Sequence, residues 1–326
     1  MSFFTIVRNN FARYGQRLAN VIVMLVLTVL TVVFAVVFTP KMQMKGHIAL
    51  VGRGDSLLKS SAAFEVTVLD SQPAMSDLML SKYDAVVIDN GGGSYEIRTI
   101  KDAALKNAID FTIAHPGEAL PGADERGVGA NILGYLSFFV LLQGVMFILP
   151  YSDDKESGVF RRIGTSPVSA GTYIAAHGAS NFALVFTPTF AVVAVATLFG
   201  AELGFSLPVF AGFIALLSLL STTFAVLVAT LVKRMENCSI IGSVTMMLTT
   251  LLAGSFVNFS STRPAFDTAI SVLPQKSFLT LIRGIEQGHA LTGYLPQLAH
   301  ILLLCAAFAA VSVLAASAQM KGKHAR

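Results

Sequence analysis

Six stretches of the chain hold no Asp, Glu, Lys or Arg and are filled mainly by apolar residues: 18–40, 127–152, 163–201, 203–232, 237–262 and 287–320. A helix crosses a bilayer with about 20 mostly apolar residues, so each stretch predicts one transmembrane helix, the longest also holding interfacial or loop residues. Between the first two stretches the pattern shortens. Segments 47–51, 64–69 and 83–88 are brief and rich in Val, Ile and aromatics, which predicts strands. Segments 55–63 and 73–80 read as short helices, and 100–114 carries Ala104, Leu105, Ala108 and Ile109 at helical spacing. Alternating strands and helices suggest a small α/β layer with a modest core of its own. The expected fold is therefore a polytopic α-helical membrane protein. It has six transmembrane helices, and a small extracytoplasmic α/β domain sits between the first and second. Residues 1–40 form an N-terminal cytoplasmic segment and first span, 41–130 the α/β domain, and 131–326 a five-helix domain with a cytoplasmic helix near 153–166.

Composition agrees with the pattern: 54% of the 326 residues are hydrophobic and 13% charged, against roughly 25% charged in ordinary soluble domains. Mean hydropathy is +0.69. A soluble enzyme, a disulfide-stapled secreted domain and a nucleic-acid-binding protein are excluded. The net charge of +4 resolves into an orientation once the charges are located. Arg8, Arg13, Arg17, Lys155, Arg161, Arg162, Lys233, Arg234, Lys321, Lys323 and Arg326 fall on one side, against Asp153, Asp154, Glu156 and Glu236, a surplus of seven. On the other side Arg263, Lys276 and Arg283 balance Glu202, Asp267 and Glu286. The positive-inside rule places the first group, and with it both termini, in the cytoplasm. The first span is longer than a signal-peptide core and no A-x-A-like site follows it, so it reads as a retained anchor. Cys238 and Cys305 both lie in expected spans, as packing residues.

Some features invite a stronger reading than their residues support. Gly91 to Gly93 lack the spacing and lysine of a phosphate cradle and read as a turn. Arg53-Gly54-Asp55 reads as a turn with Asp55 as a helix N-cap. His47 and His115 are isolated, and no catalytic set or clustered metal ligands appear. No acid or base sits at the centre of a span; His177 and His300 lie toward span ends, which gives little support to an ion-coupled pump.

The most informative stretch is the loop over residues 151–173, YSDDKESGVFRRIGTSPVSAGTY. Residues 156–164 form a short amphipathic helix with acids toward its N-terminus and Arg161 and Arg162 toward its C-terminus, as the helix dipole favours. Val159, Phe160 and Ile163 form its apolar stripe, and Pro167 ends it. Such an element could also fasten the loop to anionic lipid.

With ESGVFRRIGTSPVS at 156–169 followed by Tyr173 and a new span, the chain resembles the ABC-2 type exporter permeases, with the type V exporter fold. A second stretch is similar to the family's proline, aromatic, arginine-glycine pattern: LPQKSF at 273–278, then LIRG at 281–284. The layout of one span, an outside domain and five further spans is the family's as well. The first span lacks the proline often found there, none follows Gly254-Ser255-Phe256, and the outside domain is short. These departures leave the subfamily and substrate open.

The resemblance implies a transport subunit without chemistry of its own, in a prokaryotic plasma membrane. The chain has no G-x-x-x-x-G-K-[ST] motif, so a separate cytoplasmic ABC ATPase subunit would bind ATP and Mg. Asp153, Asp154, Glu156, Phe160, Arg161, Arg162 and Pro167 become the expected contact with that ATPase. A second permease, identical or paired, would complete the pathway. Its border is expected from Asn131, Tyr135 and Gln143 of the second span and Ser243, Met246 and Met247 of the fifth; packing within one bundle is an equal reading. Arg283 becomes an outer-gate candidate, or a simple interfacial residue. The expected function is ATP-driven export of hydrophobic or amphiphilic compounds such as drugs, antimicrobial peptides or lipids. The alternative is a membrane sensor or immunity protein that binds a ligand without transport.

Overall fold

The computed structural model describes residues 3–15, 22–23, 25–34, 46–52, 64–80, 82–89, 95–100, 103–115, 127–201, 203–256, 268 and 270–321. The helix expected at 55–63, the turn at 91–93, the 53–55 tripeptide and the charges at Arg17, Glu202, Arg263, Asp267, Lys323 and Arg326 lie outside these residues. The chain divides into two compact units, Val37–Glu125 and the remainder, Met1–Val36 with Arg126–Arg326.

The smaller unit is a four-stranded sheet with helices. Its strands are β1 (Gly46–Val51), β2 (Phe64–Leu69), β3 (Ala85–Asp89) and β4 (Tyr95–Thr99), in the order β2-β1-β3-β4. β1 runs parallel to both β2 and β3, and β4 closes the edge antiparallel to β3. Side chains alternate between faces with period two. Ile48, Leu50, Ala85 and Val87 therefore point one way, onto Leu105 and Ile109 of a helix at Ala103–Ala114. Ala49 and Val86 point the other way, onto Leu78 of a short helix at Met75–Met79. β1 is thus covered on both faces, as the continuous apolar run of a central parallel strand requires. β4 was not expected from the pattern. Its apolar face is only Tyr95 and Ile97, and the alternating Glu96 and Arg98 face outward and pair at 2.7 Å. His47 lies beside Glu65 in the β1–β2 register, with its Nδ1 3.0 Å from that carboxylate on the surface.

In chain order the helices of the larger unit, with those two as α3 and α4, are α1 (Phe3–Gly15), α2 (Leu25–Phe34), α5 (Val128–Phe147), α6 (Leu149–Glu156), α7 (Val159–Gly164), α8 (Ala170–Leu198), α9 (Leu207–Leu231), α10 (Met235–Leu252), α11 (Pro274–Glu286) and α12 (Leu295–Lys321). Five spans, Val128–Glu156, Ala170–Leu198, Leu207–Leu231, Met235–Leu252 and Leu291–Met320, are long and apolar enough to cross a membrane. α2 is a shorter apolar helix within the first expected span.

α5 and α9 form the inside of the bundle. Their apolar windows are 72% and 67% buried, against 22% for α8, α10 and α12. Small residues make the close approach possible. A methyl group on Gly144 of α5 would collide with Ser221 of α9, whose Oγ donates to the Val140 carbonyl at 2.7 Å. Asn181 of α8 donates to the Gly144 carbonyl at 2.9 Å. Gly242 of α10 packs onto Val145 in the same way. Where lipid supplies no hydrogen bonds, such contacts add about 0.6–2 kcal/mol each.

Candidate functional site

The loop singled out in the sequence is two helices with a break between them. α6 continues the line of α5 beyond Ile148, with Pro150 in its first turn, where the missing N–H costs nothing. The phenol of Tyr14 donates to the Phe147 carbonyl at this junction, and Arg13 Nη2 donates to the Pro150 carbonyl at 3.3 Å. α6 ends at Glu156. Gly158 then takes φ +80°, a left-handed conformation that glycine enters without steric cost. The single helix expected over 156–164 is therefore interrupted, because Gly158 turns the chain before α7 begins. Glu156 closes α6; it does not open α7.

α7 is short and held from beneath. Phe160 is 6% exposed and packs against Tyr151 and Tyr173, with ring centroids 6.0 and 5.6 Å away. Gly164 lies 3.6 Å from Met320 at the end of α12, measured from an ideal Cβ. The outward surface consists of Val159, Arg161, Arg162, Thr165 and Pro167. Ser169 caps α8, its Oγ accepting from the Thr172 N–H at 3.1 Å.

Four consecutive side chains of α6 reach four other elements. Asp153 accepts from Arg13 of α1 at 2.9 Å. Asp154 accepts from Arg13 at 2.8 Å through Oδ1 and from the Tyr173 hydroxyl at 2.6 Å through Oδ2. Lys155 Nζ donates to the carbonyls of Ala229, Thr230 and Val232 at 2.7–2.9 Å, at the C-terminal end of α9. Glu156 accepts from the Met235 N–H at 3.1 Å, at the start of α10. The signs suit the helix dipoles: a cation meets a C-terminus and an anion an N-terminus. Behind Asp154, His177 of α8 brings Nε2 within 3.6 Å of Oδ2, too far for a hydrogen bond. Its Nδ1 accepts from the Asn10 amide at 3.3 Å, which puts the ring proton on Nε2, toward Asp154.

The expected ATPase-contact residues thus divide. Arg161, Arg162 and Pro167 face outward. Asp153, Asp154 and Glu156 hold neighbouring helices, Asp154 buried, Asp153 half-buried and Glu156 exposed. Phe160 is the underside of α7. Lys155, Asn10, Tyr14 and His177 were missing from the expected set. One signal for them existed: Ile6, Asn10 and Tyr14 recur every four residues in α1, so a polar amide sits on a buried stripe.

The expected pathway residues lie mostly inside this one bundle. Asn131, Tyr135, Gln143 and Met246 are buried. Tyr135 stacks on Phe256 at 5.4 Å, and Gln143 Nε2 donates to Thr28 at 2.8 Å. Ser243 is half-buried, and Met247 is exposed beside Ile240, Ile241, Val244 and Leu248 on the outer face of α10.

At the other end of the bundle, Arg283 is half-buried on α11 and Gly284 lies directly beneath the Tyr294 phenol, which leaves no space for a side chain. One turn beyond Arg283, Glu286 reaches the start of α5 and accepts from the Ala130 N–H at 3.0 Å. Burial pushes this carboxyl above its ordinary range and outweighs the backbone N–H groups of Ala130, Gly129 and Gly127. No group of three or more potential metal ligands occurs among the described residues.

A family model described as ABC-2 family transporter protein matches residues 48–318. No curated protein matches the chain.

Proposed function

Since the chain belongs to the ABC-2 family of transporter proteins, a family of membrane permeases that work with an ATPase subunit, we propose that it is the permease half of an ATP-driven exporter. Its cargo would be a hydrophobic or amphiphilic compound: a drug, an antimicrobial peptide or a lipid. The observation that carries this reading is the mounting of α7. Arg161 and Arg162 are exposed on this short helix and Pro167 just beyond it, and the preceding helix α6 is tied to α1, α8, α9 and α10 through residues 153–156. A push on α7 is transmitted to the whole bundle, which is what a docking site for a separate motor requires.

In this proposal α7 is cytoplasmic, both termini are inside, and α2 belongs to a sixth span. The α/β unit lies outside the cell membrane. The partner ATPase binds ATP and Mg, and a second permease, identical or paired, completes the pathway. The exposed apolar face of α10 around Met247 is the surface for that second copy or for lipid.

The test is co-purification with a co-expressed ABC ATPase subunit. Arg161→Glu with Arg162→Glu reverses the exposed charge without touching a buried contact, and it is expected to abolish co-purification and ATP-dependent efflux while the protein still folds. Full retention of ATPase binding in that variant would reject the docking assignment. Unchanged function after deletion of the ATPase would reject the transporter reading altogether.

A further inference from the structure

α5 begins without a side-chain cap, because its N-cap position is Gly127. The first N–H groups of a helix have no intrahelical acceptor. Here the first backbone bond within the helix is from Asn131 to the Gly127 carbonyl. The acceptor for Ala130 arrives from 156 residues away, as the carboxyl of Glu286 at the end of α11. The surroundings are shaped to this carboxyl. A methyl group on Gly127 would collide with it, and one on Gly204 would lie 3.1 Å from its Oε1 and 2.7 Å from the Gly129 nitrogen. Gly204 itself has φ +83°. Three glycines from two segments thus leave a cradle into which one carboxyl fits, walled by Phe205 and Leu203 against Gly129.

We propose that Glu286 is a proton-responsive latch: its carboxyl seats α11 on the start of α5, most firmly when protonated, and lets α11 lift as it ionises. Two effects compete at the seat. The N–H groups and the positive end of the α5 dipole favour the carboxylate, whereas loss of water favours the neutral acid. Burial is the larger here, so the seated carboxyl lies above its ordinary range. A released, hydrated Glu286 returns to the ordinary carboxylate range. A group whose pKa is raised in one state stabilises that state fully below the lower pKa, and the contribution fades as pH rises through the higher one. The latch therefore loosens as pH rises above the ordinary carboxylate range and through the higher, seated value. A protonated carboxyl keeps a carbonyl oxygen for the Ala130 N–H, so the hydrogen bond survives protonation.

Among the described residues, other charges near the seat are few. α5 carries none, and neither does the segment 203–206. α11 contributes Arg283, with Lys276 at its far end, and His289 follows beside Tyr294 at 3.1 Å. Asp124, Glu125, Arg126 and Glu202 adjoin these segments in sequence, outside the described residues. That this end faces the cell exterior rests on the proposed orientation; the latch itself does not.

The experiment is amide-resolved hydrogen exchange at Ala130 in the purified full chain in lipid nanodiscs, from pH 5 to 8, corrected for intrinsic exchange rates. Wild-type protection should fall with rising pH, by up to about tenfold for each unit separating the seated and released pKa values. Glu286→Gln, neutral and of the same shape, should hold protection high and level. Glu286→Ala and Gly127→Ala, which remove the carboxyl or fill its cradle, should lose protection at every pH. The controls His289→Gln, Asp124→Asn, Glu125→Gln, Arg126→Gln and Glu202→Gln should follow the wild type. The proposal is overturned if Glu286→Gln follows the wild-type slope, or if Glu286→Ala keeps wild-type protection. No ATPase or substrate enters the measurement, so its outcome is separate from that of the transporter reading.

Discussion

Asp153 and Asp154 are adjacent, carry the same charge and bond the same guanidinium, yet their removal should have very different consequences. The Asp153 side chain is 40% exposed and accepts from Arg13 at 2.9 Å. An ion pair at that exposure contributes about 0–1 kcal/mol, because water screens it and holding two side chains costs entropy. The Asp154 side chain is 8% exposed. Asp154→Ala breaks its bond to Arg13, leaves the buried Tyr173 hydroxyl without its 2.6 Å acceptor, and strips the carboxylate facing His177. Breaking a buried pair from one side costs about 3–5 kcal/mol. Arg13 still has Asp153, which puts the expected loss near the lower end of that range, about 3 kcal/mol.

For a chain of this size a kcal/mol corresponds to a shift of about 2 °C. Asp154→Ala should therefore lower the midpoint of heat-induced loss of the folded peak by about 6 °C, measured by size-exclusion chromatography in a fixed detergent. Asp153→Ala should lower it by less than about 2 °C. Tyr173→Phe isolates the hydroxyl and should fall between them. Equal midpoints for the two aspartate variants would refute the argument that burial decides their roles. If both kept wild-type midpoints but lost ATPase binding, the acids would belong to the docking surface instead.

Lys155→Met removes three charge-assisted bonds to the end of α9 and should destabilise by about 2–4 kcal/mol, a loss read by the same melting assay; Lys155→Arg should recover part of it. Glu156→Ala uncaps α10 and should cost about 1 kcal/mol, whereas Glu156→Gln keeps an acceptor for the Met235 N–H and should melt near the wild type. Gly144→Ala drives a methyl into Ser221 and should cost about 1–3 kcal/mol by overpacking; Ser221→Ala in the same chain should recover part of the loss. Arg161→Glu with Arg162→Glu should leave the midpoint within about 1 °C, since both side chains are exposed.

The pattern along the chain made five of the six expected spans, three of the four strands and the family readable, because each depends on residues close in sequence. A span is a run of apolar residues, and the family's two motifs are short. β4 failed that test: five residues with two apolar positions carry too weak an alternation to separate a strand from a loop. The roles at residues 153–156 failed it for another reason. Asp154 meets a partner 141 residues away and Lys155 meets carbonyls 74 to 77 residues away. In sequence these charges look like a solvated loop, so they were assigned outward. Only packing shows that the helix ends of α9 and α10 need a cation and an anion there. Glu286 was counted merely as a loop charge for the same reason, although the glycine at the N-cap of α5 was already a sign that an acceptor had to come from elsewhere.

The two ends of the bundle are joined by one element. α5 and α6 together run from Val128 to Glu156, about 44 Å at 1.5 Å per residue. The start of this rod is capped by Glu286, and its end carries the four side chains that support α7. The rod is not uniform: at Ile148 the helix is interrupted, and Tyr14 and Arg13 of α1 bond the carbonyls of Phe147 and Pro150 there. α1 therefore grips the rod at its weakest point. If the proposed docking at α7 is right, its movement should pass into α5 as a rigid shift while that grip holds, and as a bend at Ile148 when it is lost. Tyr14→Phe with Arg13→Met should therefore weaken any effect of α7 substitutions on exchange at Ala130, while the cap at Glu286 remains intact.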